Sequence, residues 1–239
     1  MTYQDLIDAC QPQWTTYTQH PFVMQLGQGT LPHHCFMHYL KQDFLFLKQY
    51  ARAYALAIYK ARTLADMRRA LPSVAALLDH EIAHHVDYCG AWHLTEQDME
   101  QEPEDVATVA YTRYVLDAGM QGDIIDLYVA LAPCAIGYAE IGNLLVNDTK
   151  TVFDNNPYHS WIALYSGEDY QQGVAAATVY LNNLLAEISV HSQRGQQLIQ
   201  TFKVATEMEI AFWQQGLNAG AINNKSKTIN NKSGAVDNA

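Results

Sequence analysis

Apolar residues in this sequence recur at helical spacing, and no strand-like alternation longer than a few residues competes with them. Phe36, Tyr39, Leu40, Asp43, Leu47, Tyr50, Ala51 and Tyr54 advance in steps of three and four, which places them on one face of a 3.6-residue helix. A turn at Gly27-Gln28-Gly29-Thr30 precedes this series. Pro32 suits the first helical position, where a missing N–H costs nothing. Similar patterning predicts helices over 66–88, 106–117, 123–146, 158–165, 170–191 and 193–217, punctuated by Gly119, Gly122 and Gly195. The stretch 95–105 carries six acids and reads as a solvated connection or a short helix. Residues 219–239 hold no aromatic residue and many Asn, so a disordered tail is expected there. The expected fold is all-α: one domain over 1–218, built as a multi-helix bundle around one core.

A chain of 239 residues buries enough surface to fold without disulfides or metal. Its 14 basic and 25 acidic residues give a formal charge of −11, which argues against nucleic acid or an anionic membrane surface as partner, since both need a basic face. No segment approaches the roughly 20 uninterrupted apolar residues of a membrane span. The opening MTYQDLIDACQPQW lacks the basic and apolar regions of a secretory signal. Cys10, Cys35, Cys89 and Cys134 sit far apart, as thiols of a reducing cytosol do. A cytoplasmic protein is expected.

Three helical stripes are broken by reactive groups. Asp43 lies in register with Tyr39, Leu40, Leu47 and Tyr50, and Glu209 with Ala205, Phe212, Trp213 and Gly216. A carboxylate on a buried stripe must be paired, protonated or in a cavity, because unpaired burial costs several kcal/mol. Cys134 is in register with Tyr138, Ile141 and Leu145 and follows Pro133. That proline is expected to kink or restart the helix; a restart would put Cys134 in a first turn, where the dipole favours a thiolate. Tyr111, Tyr114, Tyr138 and Tyr165 suit a flat, hydrogen-bonding ligand. Each feature also has a plain structural reading. A buried Cys is usually an inert small hydrophobe. Asp43 has Lys48 and Arg52 within reach along its helix, and either Glu207 or Glu209 is expected on the helix surface. The coincidence of all three breaks favours a site.

These residues resemble those of the TenA (thiaminase II) family. HPFVMQLGQGTLP at 20–32, FMHYLKQDFLFL at 36–47, HEIAHHVDY at 80–88, AYTRYVL at 110–116, LAPCAIGYAEIG at 131–142, WIALYSGEDY at 161–170 and EIAFW at 209–213 follow the family's order. The likeness covers about 3–218. It implies the haem-oxygenase-like helical fold and hydrolysis of 4-amino-5-aminomethyl-2-methylpyrimidine to the hydroxymethyl compound and ammonia in thiamin salvage, with slower cleavage of thiamin. It also implies no metal or organic cofactor, and a homotetramer. Position by position, it implies Cys134 as nucleophile and Glu209 as proton donor. Asp43, Tyr138 and Tyr165 would hold the substrate, with Tyr111 on the pocket wall and Phe212 against the ring. One position departs from the family pattern. Where the family has a Tyr that hydrogen-bonds the nucleophile, this sequence has Phe46, so thiol activation must lean on Asp43, the helix start or another tyrosine.

Two other readings compete. Glu81 precedes His84 and His85 by three and four, and Glu187 precedes His191 by four, so each set could share a helix face and hold iron in an oxidase on the same scaffold. A di-metal site needs more inward carboxylates than the pattern supplies, so ordinary helix-face pairs are preferred. The third reading is a non-catalytic pyrimidine-binding protein, suggested by Phe46.

Overall fold

The computed structural model describes residues 1–233, with side chains through 219; the tail expected over 219–239 lies outside the fully described residues. Among the described residues the chain is helical with no strand. Three short helices come first: α1 (Tyr3–Ala9), α2 (Gln11–Thr18) and α3 (Pro21–Gly27). They are followed by α4 (His33–Lys60), α5 (Leu64–Ala76), a π-helical turn (Leu77–Glu81) and α6 (Ile82–Gly90). Then come α7 (Glu96–Glu100), α8 (Val106–Gln121), α9 (Ile124–Asn147), α10 (His159–Ser166), α11 (Glu168–Leu185) and α12 (Gln193–Ser233).

Local chemistry sets several of these boundaries. Thr95 and Asp123 each cap a helix in a capping box, accepting from the third helical N–H while the third side chain, Asp98 or Asp126, reaches back. Pro32 is the extended N-cap of α4, with φ −60° and ψ 134°, so the helix begins one position later than expected. The expected helix over 66–88 exists but is interrupted, because the π turn inserts between α5 and α6. Helix α11 ends at Leu185, well short of 191, so Glu187 and His191 share no helix face and the iron pair drawn from them is lost. Pro133 neither ends nor restarts a helix, since α9 runs through it from Ile124 to Asn147. Cys134 therefore lies mid-helix, and the first-turn dipole proposed for its thiol is absent.

Helices α4 and α9 form the centre. Helix α9 is long and apolar enough by length and composition to cross a membrane, yet most of it is buried inside the fold. It is the bundle's core helix, buried along both faces by its neighbours. Two glycines let those neighbours close on it. A Cβ on Gly142 would meet the Tyr165 carbonyl carbon at 2.6 Å, and one on Gly137 would meet the Tyr17 ring at 2.2 Å. Large aromatics (Trp14, Trp161, Trp213, Tyr17, Tyr39 and Phe22 among them) fill the interior around it. Each such fully buried ring contributes on the order of 2–3 kcal/mol from apolar area alone.

Candidate active site

Asp43 projects from α4 into this interior, 2% exposed. Neither Lys48 nor Arg52 pairs with it: Lys48 bonds Glu100 and Arg52 bonds Gln49. Its partner is the fully buried His85 of α6, whose Nε2 lies 2.7 Å from Asp43 Oδ2. Nδ1 of the same ring sits 2.8 Å from the Glu81 carbonyl, which can only accept, so Nδ1 carries a hydrogen. Burial works against the imidazolium, but the hydrogen bond and charge of Asp43 outweigh it and raise the His85 pKa. The pairing thus favours the charged form of His85. Tyr39 adds a further donor to Asp43 Oδ2 at 2.9 Å while accepting from Trp161 Nε1 at 3.1 Å, which fixes the direction of its own proton.

Glu209 enters from α12, 1% exposed, and accepts from the Tyr111 hydroxyl at 2.8 Å. Burial pushes its carboxyl up to about 8 against the Tyr111 hydrogen bond, and the charge on Asp43 adds to the rise. At neutral pH it is an acid. The two buried carboxyl groups therefore stand in different surroundings, Asp43 against a histidine and Glu209 among apolar side chains and one phenol.

Cys134 sits on α9 near both. Burial drives its thiol well above the usual range, and the charges of Glu209, Glu81 and Asp43 push the same way. Tyr50 is the one group acting to lower it. Phe46, one turn earlier on α4, contributes only its ring, stacked on Tyr50 at 5.3 Å and tilted against Tyr111 at 5.0 Å and Phe212 at 5.5 Å. The Tyr50 hydroxyl donates to the Leu131 carbonyl at 2.7 Å, one turn before Cys134.

A cavity of about 400 Å³ opens beside this cluster, between α5 and the π turn on one side and α11 on the other. Tyr50, Tyr54, Glu81, Cys134 and Tyr170 line it, and the exposed Arg69 and Asp169 mark its outer end. Of the residues singled out from the sequence, Cys134 lines the cavity, while Asp43, Glu209, Tyr111, Tyr138, Tyr165, Phe46 and Phe212 form the packed interior behind it. Tyr138 packs on Tyr165 at 4.9 Å and on Trp213 at 5.3 Å. Tyr114 stands apart, half-buried and donating to the Thr201 carbonyl at 3.3 Å.

Sequence reasoning missed the parts played by His85, Tyr39 and Glu81. The carboxyl of Glu81 accepts from the Tyr165 hydroxyl at 2.8 Å. Burial and the charge on Asp43 raise it to about 7 against the opposing pull of His85 and Tyr165. The Glu81-to-His85 spacing is a legible signal, but it pointed to iron. Among the described residues no three His, Cys, Asp or Glu side chains are grouped as metal ligands would be.

The bundle belongs to a known architecture. A Shewanella denitrificans domain described as having a heme oxygenase-like fold superposes at TM-score 0.68, covering all of this chain and 98% of that one, at 12% identity, a likeness of fold alone. A TenA family transcription regulator from Silicibacter sp. TM1040 superposes at TM-score 0.85 with 39% identity, covering 91% of this chain and 96% of that one. The TENA/THI-4/PQQC family matches residues 7–219, and the chain belongs to that family. Its relatives include a Haemophilus influenzae protein of uncharacterized function, 42% identical over 90% of this chain and 98% of that one. An aminopyrimidine aminohydrolase of Helicobacter pylori is 30% identical over 88% and 95%.

Proposed function

We propose that this protein is an aminopyrimidine aminohydrolase of thiamin salvage that converts 4-amino-5-aminomethyl-2-methylpyrimidine to its hydroxymethyl counterpart and ammonia, and cleaves thiamin more slowly. The observation that carries this reading is the gathering of one thiol with an ion-paired and a neutral carboxyl group in one aromatic interior. A family relative that bears the activity in its name supports it.

The amine on the pyrimidine's side arm is a poor leaving group, and adding a nucleophile to the electron-poor ring opens an easier route. Asp43, held by His85 and Tyr39, accepts from the ring's amino group and sets the angle of attack. The Cys134 sulfur bonds to a ring carbon while Glu209 protonates a ring nitrogen. The surrounding charges disfavour a free thiolate, so loss of the thiol proton accompanies the addition, Glu209 taking it up as its own proton passes to the ring nitrogen. The ring nitrogen's electrons then expel the side-arm amine, water adds to the exocyclic carbon, and C–S cleavage restores the aromatic ring. Tyr138 and Tyr165 pack on the substrate, with Tyr111 and Phe212 completing the wall. Phe46 leaves Tyr50 as the phenol available to the thiol. The same reading carries a cytosolic homotetramer without metal or organic cofactor.

Ammonia release from the aminomethylpyrimidine, run beside thiamin on chelator-treated protein, tests it. Wild type is expected to turn over both, and Cys134→Ser to lose activity by at least about 10³-fold while keeping its melting temperature. Near-wild-type turnover by the variant removes the nucleophile assignment. Ligand binding without ammonia release favours a binding protein instead.

A further inference from the structure

Near neutral pH the side arm of the aminomethylpyrimidine, a primary alkylamine, is an ammonium, whereas the arm of its hydroxymethyl product carries no charge. A cation taken out of water needs a counter-ion. The groups that hold the ring supply none: Asp43 is met by His85, and Glu209 carries its proton.

Asp43, Glu209, Tyr138 and Phe212 belong to the packed interior, so a ring that touches the Cys134 sulfur has its open side toward the cavity. Among the described residues, two carboxyl groups line that space. Asp169 is exposed at its outer end. Glu81 is half-buried at the inner end, close enough for its charge to bear on the Cys134 thiol. It closes the π-helical turn Leu77–Glu81, a rare geometry that concentrates at functional positions. The residue is fixed twice: its backbone carbonyl accepts from His85, and one carboxyl oxygen accepts from Tyr165 at 2.8 Å. The other carboxyl oxygen has no hydrogen-bond partner among the described residues. A rigidly held carboxyl group with one oxygen to spare, on the wall nearest the thiol, meets the need of a cationic arm.

We propose that Glu81 is the counter-ion of the substrate's side arm, its spare carboxyl oxygen accepting from the ammonium, so that the site prefers the amine to the alcohol it becomes. This assignment rests on the hydrolase reading. The contact lasts as long as the C–N bond: the bonding pair leaves with nitrogen, the arm's charge is lost, and ammonia departs neutral. The alcohol then offers Glu81 no charge to hold and is the weaker ligand. The ionisable groups facing Glu81 are Asp43 and Tyr54 of α4, His85 of α6, Cys134 of α9, Tyr165 of α10 and Tyr170 of α11, with Arg69 of α5 and Asp169 of α11 at the cavity's outer end. In these surroundings the carboxyl titrates at about 7, so it is mostly neutral at pH 6 and mostly ionised at pH 8. The preference for the amine grows across that interval.

Dissociation constants for the aminomethyl- and the hydroxymethylpyrimidine, measured on Cys134→Ser protein so that the amine stays intact, with and without Glu81→Gln, test the assignment. Glu81→Gln is expected to weaken the amine by about 10- to 100-fold and the alcohol by less than about threefold. With Glu81 present, the ratio of the two affinities is expected to rise about tenfold from pH 6 to pH 8, and with Gln to stay flat. The pH dependence serves if Glu81→Gln does not fold. Equal weakening of both ligands, or of neither, or a ratio that ignores pH, overturns the assignment. A wild-type protein that releases no ammonia while its binding still shows the Glu81-dependent preference loses the hydrolase reading and keeps the counter-ion. Binding of neither pyrimidine removes both.

Discussion

Glu209 shows how a single side chain couples catalysis to stability. Its carboxyl is raised from 4.5 to about 8 in the fold, so the folded chain holds a proton that the unfolded chain releases. The resulting stabilisation is complete below the ordinary carboxylate range and is lost as pH rises through about 8. The size of this contribution is on the order of a few kcal/mol. We therefore expect the wild-type melting temperature to fall between pH 5 and pH 9, and the fall to be much shallower in Glu209→Gln. The same variant should lower kcat by about 10²- to 10⁴-fold with little change in KM, because it keeps the shape of the acid but not its proton. Parallel melting curves for the two proteins would show that Glu209 is ionised in the fold. Asp43 and Glu209 were legible as residues because each breaks an apolar stripe in which every neighbour is buried. Their partners were not, since His85 and Tyr111 arrive from distant helices.

The elements divide by how strongly their pattern repeats. Helices α4, α8 and α9 were readable because their apolar steps persist over several turns. Helices α1 to α3, of seven or eight residues each, are too short for a period to establish itself and are held by packing. The π turn leaves no trace in composition, because widening one turn changes no residue; yet it brings Glu81 to the cavity and His85 to Asp43. Pro133 misled in the opposite sense. A helix interior normally rejects proline, but every residue from Val129 to Cys134 is buried, and that packing holds the helix through it. The contact of α9 with α10 gives a prediction at this scale. Gly142→Ala would gain up to about 1 kcal/mol of helix propensity, but its methyl would meet the Tyr165 backbone at 2.6 Å. Backbone cannot rotate aside as a side chain can, so overpacking at about 1–3 kcal/mol wins. A drop of about 5 °C in melting temperature is expected, together with weaker turnover as Tyr165 shifts. An unchanged melt would mean that the two helices separate freely.

For the whole molecule, the all-α class and the single core were legible because nearly every apolar period in the chain is helical and none alternates. The cavity was not, since its walls come from helices distant in sequence that meet only in the folded bundle. The pairing of Asp43 with His85 has a consequence for what enters. Asp43 is met by His85, and burial keeps the Cys134 and Glu209 protons in place, so Glu81 is the group whose charge a guest most readily changes. Thiamin brings a fixed positive charge that no change of pH removes. Glu81, poised at about 7, is the group that can answer by ionising. Thiamin binding near pH 6.5 is therefore expected to expel up to about three-quarters of a proton into solution, visible as a calorimetric heat that varies with the ionisation enthalpy of the buffer. A heat identical in phosphate and Tris would mean that the guest's charge is met by some other anion.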